Sequence, residues 1–401
     1  MSVELFEFEV MGLTTKNSKK NHMTDDEINL KYESGEHRLV TEQGAFKLDL
    51  LETIFSQKKY NLKPEFQRRI TWDTKKRSKL IESFIMNIPV PPVFLYEDDF
   101  SSYVVMDGLQ RISAIIDFYR DAYELNGLEE WAELNGRKYS QLPKKVREGI
   151  DRRQLSVITL LKESAEDITT ADKMKKMVFE RLNTGGVQLE DQEIRNALYA
   201  GKFNDYCFYL SENEVFKELW GIDGITGVTE SDNEHNLDVE DNLLAAKNKL
   251  YRRMYDVELV LRYFAMRNVN NYSGKLSRYL DNYLQHANQY TDEQMHMLGN
   301  EFENTIKKCN EIFADKAFCI YRADKGWSQP QNMIYDAMMI VMSDASITMD
   351  VLSRDCDKNI EKLKDFYIRN SEKFNGKKQS KTDIMERAEL IRTFIFENLV
   401  D

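Results

Sequence analysis

The chain has 401 residues, 42% of them hydrophobic, and a net charge of −12 at neutral pH. That is enough apolar material for a sizeable core and enough length for two or three domains. The acidic balance excludes a global positive field that would draw in nucleic acid, so any such contact must come from local patches. No apolar run reaches the roughly 18–20 residues needed to span a bilayer. The N-terminus, Met1-Ser-Val-Glu-Leu-Phe-Glu-Phe-Glu9, lacks a signal-peptide pattern. Cys207, Cys309, Cys319 and Cys356 form no CxxC pair, which argues against a zinc knuckle or a disulfide framework. The expectation is a soluble cytoplasmic protein with reduced, mostly buried thiols.

In chain order, residues 1–44 carry weak structural signals and read as an N-terminal extension. Residues 45–165 read as a small α/β domain. It holds five of the six prolines, a helical pattern over Lys75–Met86, and strand-like runs at Val93–Glu97, Tyr103–Met106 and Leu155–Leu161. The first two runs look like a pair joined by the acidic turn Asp98-Asp99-Phe100-Ser101-Ser102. Residues 166–401 read as a helical domain. Amphipathic patterns cover Lys173–Leu182, Leu189–Tyr199, Leu243–Arg267, Lys275–Tyr290, Asp292–Phe313, Gln331–Asp344 and Ile384–Leu399. The nearly all-apolar Asn332–Met342 predicts a central core helix. Six acids in the twelve residues 230–241 suggest an exposed loop. The fold class expected is α+β.

Four polar clusters carry the chemical signal. Residues 63–79 hold seven basic residues against two acids. Lys63, Arg68, Arg69, Lys75, Lys76, Arg77 and Lys79 suggest an anion or nucleic-acid face; a solvated helix start with Trp72 as a core anchor is the plain alternative. The second cluster follows Val104-Val105, where Asp107-Gly108 ends a strand and a helix begins at once. Gly108 permits the tight turn. The first helical N–H groups and the Arg111 guanidinium make a phosphate site. Asp107 could hold a metal ion or orient a water, or simply cap the helix. In the third, Asn183-Thr184-Gly185-Gly186 ends one helix in ordinary C-cap fashion. Asn183, Thr184, Gln192, Glu193, Arg195 and Asn196 are nevertheless denser in hydrogen-bonding groups than a turn requires. In the fourth, Arg262 lies in an apolar helical run and needs a partner, for which Glu258 one turn earlier is available.

Other signatures are absent. The sequence has no Walker A motif and no GxGxxG. Its five scattered histidines form neither HExxH nor a compact histidine-metal nuclease motif.

Phe66-Gln-Arg68, Ile88-Pro-Val-Pro-Pro92, Val105-Met-Asp-Gly-Leu-Gln-Arg111, Leu182-Asn-Thr-Gly-Gly186 and Gln192-Glu-Ile-Arg-Asn196 occur in the order found in the N-terminal domain of GmrSD-type modification-dependent restriction proteins. Leu259–Phe264 and Ile312–Phe318 also look like its helical part, so the resemblance covers roughly 45–345. It implies a ParB/sulfiredoxin-like α/β core followed by a large helical region. It also implies nucleotide binding and hydrolysis at an Asp-Gly-Gln-Gln-Arg motif, in bacterial anti-phage defence; Asp107 would place Mg²⁺ or the attacking water. Position by position, Asp107, Gly108, Gln110 and Arg111 match the motif, and Arg68 and Asn183 match adjoining segments. Leu109 stands in place of the first glutamine. No histidine follows His296, so the histidine-metal nuclease domain of the full-length restriction proteins is not expected here.

The leading expectation is a nucleotide-binding, NTP-hydrolysing component of a restriction-like system, acting with a separate effector encoded nearby. Asp107, Gln110 and Arg111 would be catalytic, with Asp107 the metal ligand. Gln67, Arg68, Gly108, Gln110, Arg111, Asn183, Thr184 and Arg195 would bind nucleotide. Arg69, Lys75, Lys76, Arg77, Lys144 and Lys145 would offer cations to DNA. Two alternatives stay open: a Mg²⁺-dependent ParB-like nuclease using Asp107, and a non-catalytic nucleotide-gated sensor of DNA or protein. Self-association is compatible with each.

Overall fold

The structure is a computed structural model that describes residues 5–9, 24–33, 40–62, 72–161, 176–179, 181, 190–222, 251, 253–350, 352, 355–374 and 380–400; of Lys31 and Ala197 it describes the backbone alone. The protein is of the α+β class, with a mixed sheet in its first half and a large helical region after it. The described residues fall into two compact units, 24–198 and 5–9 with 199–400. The sequence reading draws its boundary at 165/166, whereas the two units part at Leu198/Tyr199.

The first unit is built on a five-stranded sheet of order β1-β5-β3-β4-β2. Its strands are β1 (Thr41–Lys47), β2 (Tyr60–Asn61), β3 (Val93–Asp99), β4 (Ser102–Asp107) and β5 (Gln154–Leu160). β3 and β4 form the expected hairpin, antiparallel, with Phe94 opposite Asp107. β5 lies parallel to β3, and β1 closes that edge antiparallel to β5. β1 begins at Thr41, inside the segment read from sequence as an extension. Its residues Thr-Glu-Gln-Gly-Ala-Phe-Lys are exposed except for half-buried Phe46. An edge strand with so little burial has no hydrophobic alternation to betray it.

The helices of this unit are α1 (Asp25–Glu33), α2 (Leu51–Phe55), α3 (Thr74–Met86), α4 (Leu109–Tyr119), α5 (Lys144–Asp151) and α6 (Asp191–Leu198). Asp73 caps α3 by accepting the Lys76 N–H at 2.6 Å. The helix presents Leu80, Ile81 and Phe84 to a core shared with Ile112, Ile115 and Phe118 of α4 and Val93, Leu95 and Val105 of the sheet. This spacing of apolar residues at three and four puts one face of each helix on the sheet. α6 packs against β4.

The second unit contains α7 (Lys202–Ser211), α8 (Glu214–Trp220), α9 (Tyr255–Arg267), α10 (Leu276–Ala287), α11 (Asp292–Phe313), α12 (Asn332–Met342), α13 (Cys356–Arg369) and α14 (Lys381–Asn398). The core-helix expectation for α12 holds: every residue from Met333 to Met342 is buried. Of the pattern over Leu243–Arg267, the structure shows α9 from Tyr255 onward, preceded by Met254 in a left-handed conformation; residues 243–250 and 252 lie outside the described residues. Arg262 is buried, and its main partner is Asp336 of α12, whose Oδ1 accepts from Nε at 3.1 Å. Glu258, the partner expected from sequence, stands farther off at 3.8 Å. Burial opposes the Arg262 charge, but the Asp336 carboxylate outweighs it and holds the guanidinium protonated.

The N-terminal segment belongs to this helical unit. Glu9 is buried and accepts from Arg267 Nε at 2.8 Å and Nη2 at 2.9 Å. The Phe6 ring lies 5.8 Å from the Arg267 guanidinium carbon, and the Phe8 ring meets Tyr290 edge-on at 5.2 Å.

Candidate functional site

The site grows from the end of β4. The strand stops at Asp107, and Gly108 turns the chain with φ 98° and ψ 8°. A side chain is excluded there on two grounds. The conformation is left-handed, and a Cβ would sit 2.7 Å from Val93 Cγ2 and 3.2 Å from Val93 Cα. α4 then begins at Leu109, with the Ile112 N–H donating to the Gly108 carbonyl at 3.0 Å. The N–H groups ahead of Ile112 therefore have no intrahelical acceptor, and they point out of the positive end of the helix dipole.

Asp107 does not serve as the cap, because Gly108 occupies that position. The Asp107 carboxylate instead accepts from Arg111 Nη2 at 2.6 Å. The same Nη2 donates to the Pro92 carbonyl at 3.2 Å. Asp107 is about half exposed, at 46%, while Arg111 is only 13% exposed. Arg111 Nε is buried and has no hydrogen-bond partner among the described residues. A guanidinium beside a helix N-terminus is suited to an oxyanion.

Two further motifs meet this turn. Gln110 Oε1 accepts the Trp72 backbone N–H at 3.0 Å, tying the start of α3 to the start of α4. The Ile88-Pro-Val-Pro-Pro92 run supplies the Pro92 carbonyl and then Val93, the residue packed against Gly108. Pro89, Pro91 and Pro92 lack an N–H and present only carbonyl acceptors. The sequence marked these residues as part of a resemblance, but it carried no signal for their contact with Arg111. Leu109 is half buried and packs against the core, so the residue that replaces the family's glutamine props the turn from beneath.

Arg195 lies on α6, the helix that packs against β4. It is buried, donating to Gln192 Oε1 at 3.0 Å, while Gln192 Nε2 donates to Asn196 Oδ1 at 3.0 Å. These bonds link Gln192, Arg195 and Asn196 along α6. Gln67, Arg68, Arg69, Asn183 and Thr184 lie outside the described residues.

The cations proposed for DNA separate into two kinds. Lys75, Lys76, Lys144 and Lys145 are exposed, the last two at 80% and 93%. Arg77 is not a surface cation. Its Nε donates to the Trp72 carbonyl at 2.9 Å, its Nη1 to Asp117 at 3.2 Å, and its guanidinium lies 5.5 Å from the Tyr123 ring. Arg77 is thus engaged as a bracket between Trp72, Asp117 and Tyr123.

Among the described residues no three His, Cys, Asp or Glu side chains cluster to hold a metal. Asp107 is the acidic side chain of the turn, and Arg111 meets its charge. A Mg²⁺ ion fits here only in the manner usual for nucleotide sites, where one or two carboxylates hold it and substrate phosphates and water complete its shell.

Fold and turn define an α+β protein whose sheet unit ends a strand in an Asp-Gly-x-Gln-Arg junction. Residues 51–200 match the family of the GmrSD restriction endonuclease, N-terminal domain. That stretch is a GmrSD-type N-terminal domain. No curated protein and no solved structure matches the chain. Among the described residues, no helix is long and apolar enough to cross a membrane.

Proposed function

We propose that the sheet unit binds a nucleoside triphosphate at the Asp107–Arg111 turn and hydrolyses its terminal phosphoanhydride, as part of a restriction-type defence system with a separate effector. The observation that carries this reading is Arg111: a mostly buried guanidinium whose Nε has no hydrogen-bond partner among the described residues, beside the N-terminus of α4. In this reading the α4 N-terminus and Arg111 take the phosphate oxygens. Phosphate binding competes with Asp107 for Arg111, so the carboxylate is released as the nucleotide seats. Asp107 then orients the attacking water, and Gln110 keeps the two helix starts in register. Phosphoryl transfer depends mainly on positioning and charge neutralisation, which an Asp/Arg site can supply without histidine. Mg²⁺, held by Asp107 and the nucleotide, would neutralise charge on the leaving phosphates. Arg68, Gln67, Asn183 and Thr184 complete the proposed pocket by resemblance, and the sheet is taken as ParB/sulfiredoxin-like on the same ground. DNA, where it binds, is assigned to the exposed Lys75, Lys76, Lys144 and Lys145.

The nuclease alternative requires a second carboxylate for a two-metal site, and the described residues place none beside Asp107 in a metal-holding cluster. The test is phosphate release from each of the common nucleoside triphosphates. Turnover by the wild type that is lost in Asp107→Ala and Arg111→Ala supports hydrolysis. Tight binding without turnover supports the sensor alternative, and the absence of both overturns the proposal.

A further inference from the structure

The helical unit contains a cleft of about 630 Å³ that the turn chemistry does not use. Leu5 and Phe6 of the N-terminal segment form one wall, and Asn304, Lys307 and Lys308 of α11 form another, with Ser343 at the end of α12. This volume lies in the range of small-molecule sites. The charges within it are unequally matched. Arg267 is neutralised by buried Glu9, with Glu301 3.9 Å away. Lys307 stands 3.8 Å from Glu311. Lys308 has only the Met342 carbonyl, at 3.1 Å, and no described carboxylate in ion-pair contact. Burial pushes the Lys308 ammonium below the usual lysine pKa, against the weaker pull of Glu301 and Asp344. A half-buried cation facing an open cleft with no carboxylate in ion-pair contact is costly unless something anionic enters. The carbonyl at the end of α12 offsets only part of that cost, as helix C-termini do for nearby cations.

We propose that this cleft binds a small molecule bearing a carboxylate or phosphate, with the anionic group against Lys308 and Lys307 beside it. Glu301, Glu311 and Asn304 would accept from hydroxyl or amine groups on the remainder of the ligand. The site lies in the helical unit, so it stands or falls independently of the nucleotide reading.

The experiment is competitive acetylation of the full chain at mildly alkaline pH, read by mass spectrometry, with inorganic phosphate, ribose 5-phosphate or succinate present at millimolar concentration. An anion in contact holds the ammonium form, so Lys308 acetylation should slow by roughly fivefold or more. Exposed Lys144 should be unchanged. Protection by the two phosphates alone assigns a phosphate ligand, and protection by succinate alone assigns a carboxylate. The protecting anion should also raise the melting temperature of the wild type and of Lys308→Arg, but not of Lys308→Gln. Unaltered Lys308 acetylation with all three probes overturns the proposal, and so does undiminished thermal stabilisation of Lys308→Gln. The labelling arm uses the wild-type chain, so it decides the matter even where the glutamine variant fails to fold.

Discussion

Gln110 Oε1 accepts the backbone N–H of Trp72 at 3.0 Å, across 38 residues of sequence. One side chain thereby ties the N-termini of α3 and α4 together at the candidate site. Gln110→Leu removes the acceptor and leaves a half-buried donor unmatched, at a cost of about 1–3 kcal/mol. Gln110→Glu keeps an acceptor oxygen and should lose less. Urea denaturation of the two variants checks the difference, and equal stabilities would remove Gln110 from this role.

Gly108 is forced by both its backbone and its neighbour. Gly108→Ala places a Cβ 2.7 Å from Val93 Cγ2 at φ 98°. The left-handed conformation alone costs roughly 1–2 kcal/mol for a residue with a Cβ. Val93→Ala removes the nearest of the three close contacts. The double variant Gly108→Ala/Val93→Ala should therefore lose less stability than the sum of the single variants, as contacting residues do in a double-mutant cycle. Strict additivity would show that the clash is relieved elsewhere.

Glu9 and Arg267 are both buried, and each carboxylate oxygen takes a guanidinium nitrogen. Removing one partner of a buried pair strands the other charge and costs about 3–5 kcal/mol. Glu9→Ala should destabilise the helical unit by about that amount, and Glu9→Gln by less because it keeps an acceptor. Calorimetric unfolding of the full chain reads this directly. A change within experimental error would mean that the segment 5–9 is not anchored as described.

Acid should weaken the helical unit through Asp344. Burial raises the pKa of this carboxyl, but the Ser346 hydroxyl and N–H, then Arg392 at 2.9 Å, outweigh it and leave it below the ordinary value. The folded state therefore binds this proton less readily than the unfolded chain. Its contribution is complete above the unfolded pKa, near about 3.9, and is lost as pH falls through the lower folded value. Asp344→Asn should reduce stability at neutral pH and flatten the acid limb of a stability–pH profile. An acid limb unchanged from wild type would assign the acid sensitivity to other carboxylates.

Much of the sheet unit was legible because its signals are local. Val104-Val105 followed by Asp107-Gly108 marked a strand running into a turn, and the spacing of Ile112, Ile115 and Ile116 marked the helix after it. Contacts distant in sequence were not legible. Periodicity cannot reveal that Glu9 meets Arg267 across 258 residues, or that Arg262 prefers Asp336 to the nearby Glu258. β1 was missed because an exposed edge strand needs no alternation of apolar side chains. Charge counting likewise could not separate Arg77, bracketed to Asp117 and the Trp72 carbonyl, from exposed Lys75 and Lys76. The Asp107–Arg111 pair was legible as a neighbourhood, since residues four apart share a helix-start surface, but the Pro92 carbonyl that completes it was not.

The most direct measurement is equilibrium binding of nucleoside triphosphates to the wild type, Arg111→Ala and Arg111→Lys, with circular dichroism confirming that each folds. Wild type should bind. Arg111→Ala should bind at least about tenfold more weakly, as expected for loss of a charge-assisted contact worth about 1.5–3 kcal/mol. Arg111→Lys should fall short of wild type, because an ammonium cannot reproduce the guanidinium fork. Failure of the folded wild type to bind any nucleoside triphosphate, or equal affinity of Arg111→Ala, would contradict assignment of the turn as a nucleotide site.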